Sequence, residues 1–376
     1  MGIVSESKKF FSHSLLMRYA KRLEISDIHT KIDTDTGLLA IISIHSNELG
    51  PAIGGCRFHT YASHGHALLD AMRLSYMMTL KAAISGLHHG GAKSVIMAPS
   101  HPYNRQSLFH AFGDFVHSLN GRYITACDVG TKTTDMDTIC ERTPYVIGAT
   151  KTHAAETTPS IHTAKGVYLG MQAALEHRYD SDNFHDKHIS IQGAGSVAYY
   201  LAEYLLNAGA TVTVCDTNPD AITHITKHLG VNVCNPNDIY DIPSDIFAPC
   251  ALGGTVNFDT IKRIQAPIIA GSANNQLSHS RIASILKKQN RLYAPDFVIN
   301  SGGLINAAIV YDYTDPDKAD LKIDQLKKTI KHLFELSELK NQNTQDVAIE
   351  IAMQKIELAK EKNTNPLINQ QLDKTL

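Results

Sequence analysis

Residues 188–216 read HISIQGAGSVAYYLAEYLLNAGATVTVCD, and no other stretch limits the fold of this chain so strongly. A β-branched run, a G-x-G-x-x-A turn, a helical run and a second β-branched run closed by an acid follow one another in ~30 residues, the order of a βαβ unit. Two strands joined in this way lie parallel and bury both faces, so the unit requires a larger α/β domain around it. Gly193 permits the tight turn out of the first strand, Gly195 leaves room for a pyrophosphate, and Ala198 lets the helix lie close to the sheet. The turn and helix start, Gly193, Ala194, Gly195, Ser196, Val197, Ala198 and Tyr199, form the candidate phosphate site, with helix-terminal amides facing the charge. Asp216 stands about twenty residues beyond the glycines, where a carboxylate accepts hydrogen bonds from adenosine ribose hydroxyls and repels a 2′-phosphate. The motif points to a dinucleotide, and to NAD over NADP.

A chain of 376 residues is too long for one ordinary core and suggests two domains. With 35 basic against 37 acidic side chains it offers no electrostatic footprint for nucleic acid or an anionic membrane. No apolar run approaches the ~20 residues that span a bilayer. The start, MGIVSESKKFF, lacks the apolar core of a secretion signal and has Glu6 where myristoylation requires Ser or Thr. Cys56, Cys127, Cys140, Cys215, Cys234 and Cys250 are scattered without a CxxC pair and read as free thiols of a reducing cytoplasm. The histidine clusters HGH (64–66) and HH (88–89) lack the i, i+4 spacing that aims two ligands from one helix face, so no metal is expected. What remains is a cytoplasmic protein with small-molecule partners, no nucleic acid and no membrane.

The segment before the fingerprint is itself α/β. GLLAIISIHS reads as a strand, HALLDAMRLSYMMTLKAAI (66–84) as a helix, SVIMAP as a strand, SLFHAFGDFVHSL as a helix and GRYITACDVG as a β-run that meets an acid. Between the first helix and SVIMAP lies GLHHGGAKSV. Its Lys93 follows two glycines and precedes a buried strand, so the ammonium either snorkels or is held for chemistry. Beyond the fingerprint, DIFAPCA, PIIAGSA and FVINSGG read as further strands of an open parallel sheet with ligand-facing loops at their carboxyl ends. From about Asp315 the chain reads as charged amphipathic helices, and TNPLINQQLDKTL as a frayed end.

Several of these segments carry a resemblance. GPAIGGCRFHTYAS (50–63), MMTLKAAISGLHHGGAKSVI (77–96), NGRYITACDVGT (120–131), IYDIPSDIFAPCALGGTVN (239–257), IIAGSANNQL (268–277) and YAPDFVINSGGLIN (293–306) join the fingerprint in this order. Together they resemble the Glu/Leu/Phe/Val dehydrogenases across nearly the whole chain, nearest to the leucine-specific members. The resemblance implies NAD-dependent, reversible oxidative deamination of a branched-chain L-amino acid, leucine first, to the 2-oxo acid, ammonium and NADH. It makes Lys81 the substrate-carboxylate lysine, Lys93 the catalytic lysine and Asp128 the acid that contacts the amino group. It assigns Thr163 to the cofactor, places Asn274 and Asn275 near nicotinamide and substrate, and lines the side-chain pocket with Ile53, Ala126, Leu304 and Ala307, beside the substrate-binding Gly54. The chemistry asks for the same groups. Hydride leaves Cα only from a neutral amine, a cation suits the carboxylate, and a lysine with a lowered pKa serves as general base.

The resemblance has departures: Ala92 in GGAK where GGGK is usual, Cys127 where a glutamate commonly precedes the aspartate, Ser196 for a common asparagine, and HTY for WTY. Ala92 is expected to add a methyl beside the catalytic lysine, and it and Cys127 to bear on rate or pKa. The expected architecture is α/β: a substrate, catalytic and oligomerisation domain (1–150), a Rossmann NAD-binding domain (151–325), and C-terminal helices (326–376) packing back on the first, with the site in a cleft between the two. The family's habit implies a homo-oligomer. A phenylalanine-type specificity stays open through Ala307, and the departures keep open a non-catalytic nucleotide- or amino-acid-binding descendant. A hydroxy-acid dehydrogenase would want a His/Arg constellation that the matched segments lack.

Overall fold

The computed structural model describes residues 15–150 and 159–364. The readings of the first residues as free of a signal, of a domain boundary at 150/151 and of a frayed end beyond 364 fall on residues outside that set. The described chain divides into two compact units: residues up to 150 together with those from 355 on, and residues 159–354.

Unit 1 is built on five strands, β1 (Asp27–Asp33), β2 (Leu38–Ser46), β3 (Ala52–His59), β4 (Gly90–Met97) and β5 (Tyr123–Cys127), in the order β1-β2-β4-β3-β5. β2 runs antiparallel to β1 and β4, whereas β3 is parallel to β4 and β5. Strand alternation sends Ala40, Ile42 and Ile44 to one face, where Phe109 and Phe112 of the helix Arg105–His117 cover them. The other face sends Ile41 and Val95 against Ala67 and Ala71 of the helix His64–Ile84. Each helix starts at a side-chain cap, Ser63 accepting from the amide of His66 and Asn104 from that of Ser107. The closing helix, Thr344–Thr364, reaches unit 1 at its C-terminal end, where Lys355 Nζ donates to the carbonyl of Ile84 at 3.2 Å.

β4 begins at Gly90, ahead of the SVIMAP run in which the sequence pattern places the strand, so Lys93 lies inside it. The reason is close approach. A Cβ on Gly90 would stand 1.9 Å from the carbonyl oxygen of Ser46, and one on Gly91 2.0 Å from the amide nitrogen of Thr79. These glycines let the backbones of β2 and of the helix His64–Ile84 lie directly against β4.

Unit 2 carries six parallel strands, β6 (His188–Gln192), β7 (Thr211–Cys215), β8 (Asn232–Val233), β9 (Ile246–Pro249), β10 (Ile268–Ile269) and β11 (Leu292–Tyr293), in the order β11-β10-β9-β6-β7-β8. Counted from β6 this is 3-2-1-4-5-6, the doubly wound Rossmann order, with its switch point between β6 and β9. The expected α/β fold with a Rossmann domain is therefore the observed one.

FVINSGG is a correction: it is helical, divided between Asp296–Ile299 and Gly302–Tyr313, and the last strand is the Leu292–Tyr293 pair before it. A short apolar run fits strand or helix equally. Here Asp296 decides, its carboxylate accepting from the amides of Phe297 (2.7 Å) and Gln276 (3.0 Å). Gly302 and Gly303 then press on the helix Pro159–Tyr179, a Cβ at Gly302 falling 2.0 Å from the carbonyl oxygen of His162. The helix Pro316–Leu339 runs unbroken through residue 325, because its buried stripe Ile323, Leu326, Ile330 and Leu333 is continuous and packs on Pro159–Tyr179.

A methyl at Gly91 meets backbone, which cannot swing aside. Gly91→Ala is expected to cost about 3 kcal/mol or more, the upper range of overpacking, read as a lowered thermal midpoint. An unchanged midpoint would mean that β4 and the helix are not in this contact.

Candidate active site

Along β4, Gly91, Lys93 and Val95 face the helix His64–Ile84, while Ala92, Ser94 and Ile96 face the opposite side. Lys93 pairs with Ser43 of β2, whose hydroxyl meets that of Ser75 at 3.0 Å. The lysine side chain is 7% exposed, and its Nζ lies 2.7 Å from Oδ2 of Asp128. Asp128 follows the last residue of β5 in a turn locked by Thr131, whose Oγ1 accepts from the Asp128 amide and donates to the carbonyl of Cys56. Across from Lys93 on β3 is Gly55. A Cβ there would stand 2.9 Å from Asp128 Cβ and 3.3 Å from Lys93 Nζ, so the bare glycine keeps the space beside the ammonium open.

A second cation reaches the same carboxylate oxygen. Arg57 Nε donates to Asp128 Oδ2 at 3.0 Å while its Nη1 bonds Asp70 Oδ2 at 2.8 Å. Tyr61 OH donates to that same Asp70 oxygen and Arg73 pairs with the other. Burial, the largest influence, pushes the Lys93 pKa below that of an ordinary lysine; Asp128 opposes this, and Arg57 adds to it. Burial also works against the charge of Asp128, but Lys93 and Arg57 outweigh it and hold the carboxyl below the usual range.

Ala92 corrects an expectation. Its methyl is fully buried in the core on the far face of the sheet and does not sit against the ammonium. Cys127 is exposed at the end of β5. Ile53 of β3 and Ala126 of β5 share the face of Lys93, whereas a Cβ on Gly54 would fall 1.8 Å from the carbonyl oxygen of Ala92. Lys81 is half-buried in the last turn of His64–Ile84.

In unit 2, Gly193 adopts φ +106° and donates to the carbonyl of Cys215. The Asp216 carboxylate accepts from the amide of Ala194 at 2.7 Å and from that of Asn218 at 2.8 Å, bracing the loop from the end of β7. A Cβ on Gly195 would meet nothing within 4 Å, and the loop opens on a groove of about 450 Å³ lined by Gly195, Ser196, Tyr199 and His224. Val197 is half-buried and Ala198 packs inward. A dinucleotide pyrophosphate fits this loop. Thr163 Oγ1 donates to the carbonyl of Pro159 and lies where a Cβ on Gly303 would be 2.6 Å away. Asn274 Oδ1 accepts from Asn300 at 2.8 Å, and Asn275 adopts φ +52°. Leu304 and Ala307 are half-buried one turn apart on Gly302–Tyr313, between buried neighbours.

The structure thus brings Lys93 to Asp128, and Asp216 to the glycine loop. Of the other expected site residues, Ile53, Gly54, Lys81 and Ala126 belong to unit 1, and Thr163, Asn274, Asn275, Leu304 and Ala307 to unit 2. Arg57 and Asp70 went unmarked in the sequence, although Arg57 lies in the GGCRFHTY segment. Alternation from Gly55 was the available signal, since it puts Arg57 on the face of Lys93. Among the described residues no cluster of three or more metal-ligating side chains forms, and no helix is long and apolar enough to cross a membrane.

The model of the Glu/Leu/Phe/Val dehydrogenase dimerisation domain matches residues 23–145, and that of the Glutamate/Leucine/Phenylalanine/Valine dehydrogenases matches residues 216–363. Leucine dehydrogenase of Geobacillus stearothermophilus is 42% identical over 343 residues, 91% of this chain and 93% of that protein. Valine dehydrogenase of Streptomyces coelicolor is 40% identical over 305 residues, 80% of this chain and 84% of that protein. The crystal structure of L-tryptophan dehydrogenase from Nostoc punctiforme superposes with a TM-score of 0.80 at 36% identity, covering 92% of this chain and 99% of that one. With both halves matched and the likeness sustained along nine-tenths of its length, the chain belongs to the Glu/Leu/Phe/Val dehydrogenase family.

Proposed function

We propose that the protein catalyses the NAD-dependent, reversible oxidative deamination of a branched-chain L-amino acid, leucine first. The observation that carries this reading is the buried Lys93–Asp128 pair, 2.7 Å apart beside a bare glycine. The names of the leucine and valine dehydrogenase relatives support the substrate class, and the braced glycine loop supports NAD. In balance, the amino acid, NAD and water give the 2-oxo acid, ammonium, NADH and a proton.

When bound, NAD supplies the acceptor for the Cα hydride. The chain's residues do the rest. Lys81 holds the substrate carboxylate by a charge-assisted contact. The Asp128 carboxylate faces the amino group and stabilises the cation that develops there as the C–N bond gains double-bond character. Lys93, neutral at lower pH than an ordinary lysine, takes a proton from the water that attacks the iminium carbon. Asp128 takes the proton that the substrate ammonium loses before hydride transfer and returns it to the departing nitrogen, and Lys93 gives its own proton to solvent. Ile53 and Ala126, on the face of Lys93, give the side chain an apolar setting, which separates neighbouring aliphatic substrates by only ~1–3 kcal/mol per methylene.

An aromatic substrate is the second reading, favoured by the small, half-open Ala307 and by the likeness to a tryptophan dehydrogenase. The dimerisation-domain match supports a homo-oligomer, and six free thiols support a cytoplasmic setting.

The test is NADH formation with L-leucine, isoleucine, valine, phenylalanine, tryptophan and glutamate at alkaline pH. Branched aliphatic substrates should turn over fastest; a faster aromatic substrate selects the second reading, and no turnover with any of them refutes the enzyme. Lys93→Ala should lower kcat by about 10²–10⁴-fold, the worth of a general base, with NAD binding intact in a titration. Near-normal turnover would remove Lys93 from the role. Asp216→Ala should weaken NAD binding and relax the preference over NADP, because the mutation frees the Ala194 amide and removes the charge that repels a 2′-phosphate. Unchanged NAD affinity would reject that assignment.

A further inference from the structure

We propose that Arg57 is a positioning residue for the reaction: anchored by Asp70, it shares Oδ2 of Asp128 with Lys93 and leaves Oδ1 for the substrate amine. The inference rests on the amino acid dehydrogenase reading and adds to it a pair of residues to which no role has been assigned.

Four charged groups alternate in sign along one line of contacts: Asp70, Arg57, Asp128, Lys93. Both cations converge on a single carboxylate oxygen, at 3.0 Å from Arg57 Nε and 2.7 Å from Lys93 Nζ. Among the described residues no hydrogen bond is made to Oδ1. A lysine contact alone fixes a carboxylate at one point and leaves it free to rotate. A second donor on the same oxygen, carried by a planar and already anchored guanidinium, removes that freedom. The anchor is well built. Asp70 receives Arg57 and Tyr61 on Oδ2 and Arg73 on Oδ1, with only 14% of its side chain exposed. Arg57 thus has little freedom to follow Asp128 out of place, and its cost in side-chain entropy is met at folding.

The electrostatic consequence has a definite sign. A fixed guanidinium beside the pair disfavours the charged form of Lys93 and favours that of Asp128. Removing it raises both pKa values, so the acid limb of the activity profile moves to higher pH.

Other titratable groups around the pair do not mimic this movement. His45 on β2 is pushed down to about 4, and Cys56 on β3 up to about 12, each by burial. Tyr123 on β5 is raised further, and Cys127 to about 11. Asp135, on the helix Thr133–Cys140, is held by Arg105 at 2.7 Å. Lys81, on the helix facing β4, is common to wild type and variants.

The experiment compares the full-length wild type with Arg57→Gln, Arg57→Lys, Asp70→Asn and the double variant Arg57→Gln/Asp70→Asn. It uses leucine and NAD across pH 7–11, with thermal midpoint and NAD titration as checks on folding. Wild-type turnover tests the underlying reading by itself; only ratios to wild type test Arg57. Arg57→Gln should lower kcat by roughly 10–100-fold with KM changed by less than about threefold, the mark of lost positioning in the transition state. Its acid limb should move up by about one pH unit or less. Arg57→Lys should restore the limb more than kcat, because it returns the charge without the planar fork. Asp70→Asn should reduce kcat in the same sense, and the double variant should be no worse than Arg57→Gln, as two links of one chain require. A folded Arg57→Gln with wild-type kcat and an unmoved limb overturns the proposal. Strictly additive losses in the double variant overturn the Asp70 anchor.

Discussion

The structure of unit 1 is organised around one contact, the ammonium of Lys93 against the carboxylate of Asp128 inside a sheet. Charges buried to this degree survive only when paired and held in good geometry. That requirement explains local features that otherwise look unrelated. Gly90 and Gly91 let β4 lie against β2 and the helix His64–Ile84, which sinks Lys93 into the layer. Ser43, Ser75, His45 and Thr79 line the same face with hydroxyl and imidazole groups bonded to one another, at 3.0 Å for the serine pair and 2.8 Å for His45 and Thr79. Thr131 holds the turn that presents Asp128, and Gly55 withholds a side chain from the space beside the Lys93 ammonium.

Unit 2 solves a different problem with a related device. Its glycine loop turns sharply between β6 and the helix that follows, and Asp216 ties it to the end of β7 through the Ala194 amide. The carboxylate at the end of β7 therefore shapes the glycine loop through the amides of Ala194 and Asn218. Gly193 is committed to this turn by its φ of +106°, while Gly195 faces open space. The two glycines have separate purposes, one conformational and one steric.

What the sequence made legible follows from how local the signals are. β6, the glycine loop, its helix and β7 were readable from the residues because each is defined within a few positions. Lys93 and Asp128 were nameable through family resemblance, and their pairing is a matter of β3, β4 and β5 lying side by side. The start of β4 was obscured because glycines within a strand look like a turn until the neighbouring backbones are in place. FVINSGG was misread because three apolar residues carry no period, and the buried carboxylate that turns them into a helix bonds to Gln276, twenty residues away. The contacts of Arg57 were hidden for the same reason, its two acids lying 13 and 71 residues from it, although alternation from Gly55 put it on the face of Lys93. Ala92 seemed to touch the chemistry only because it is next to Lys93 in the chain; alternation sends it to the other face.

Burial and Arg57 make Lys93 a weaker base than a free lysine, while Asp128 keeps it in place. The most direct measurement is a ¹³C NMR titration of lysine Cε-labelled protein, with the Lys93 resonance assigned by its loss in Lys93→Arg. The expected midpoint lies clearly below the ~10.4 of an unperturbed lysine. A midpoint at or above that value would contradict it, since the pair would then be an ordinary ion pair and Lys93 no base near neutral pH.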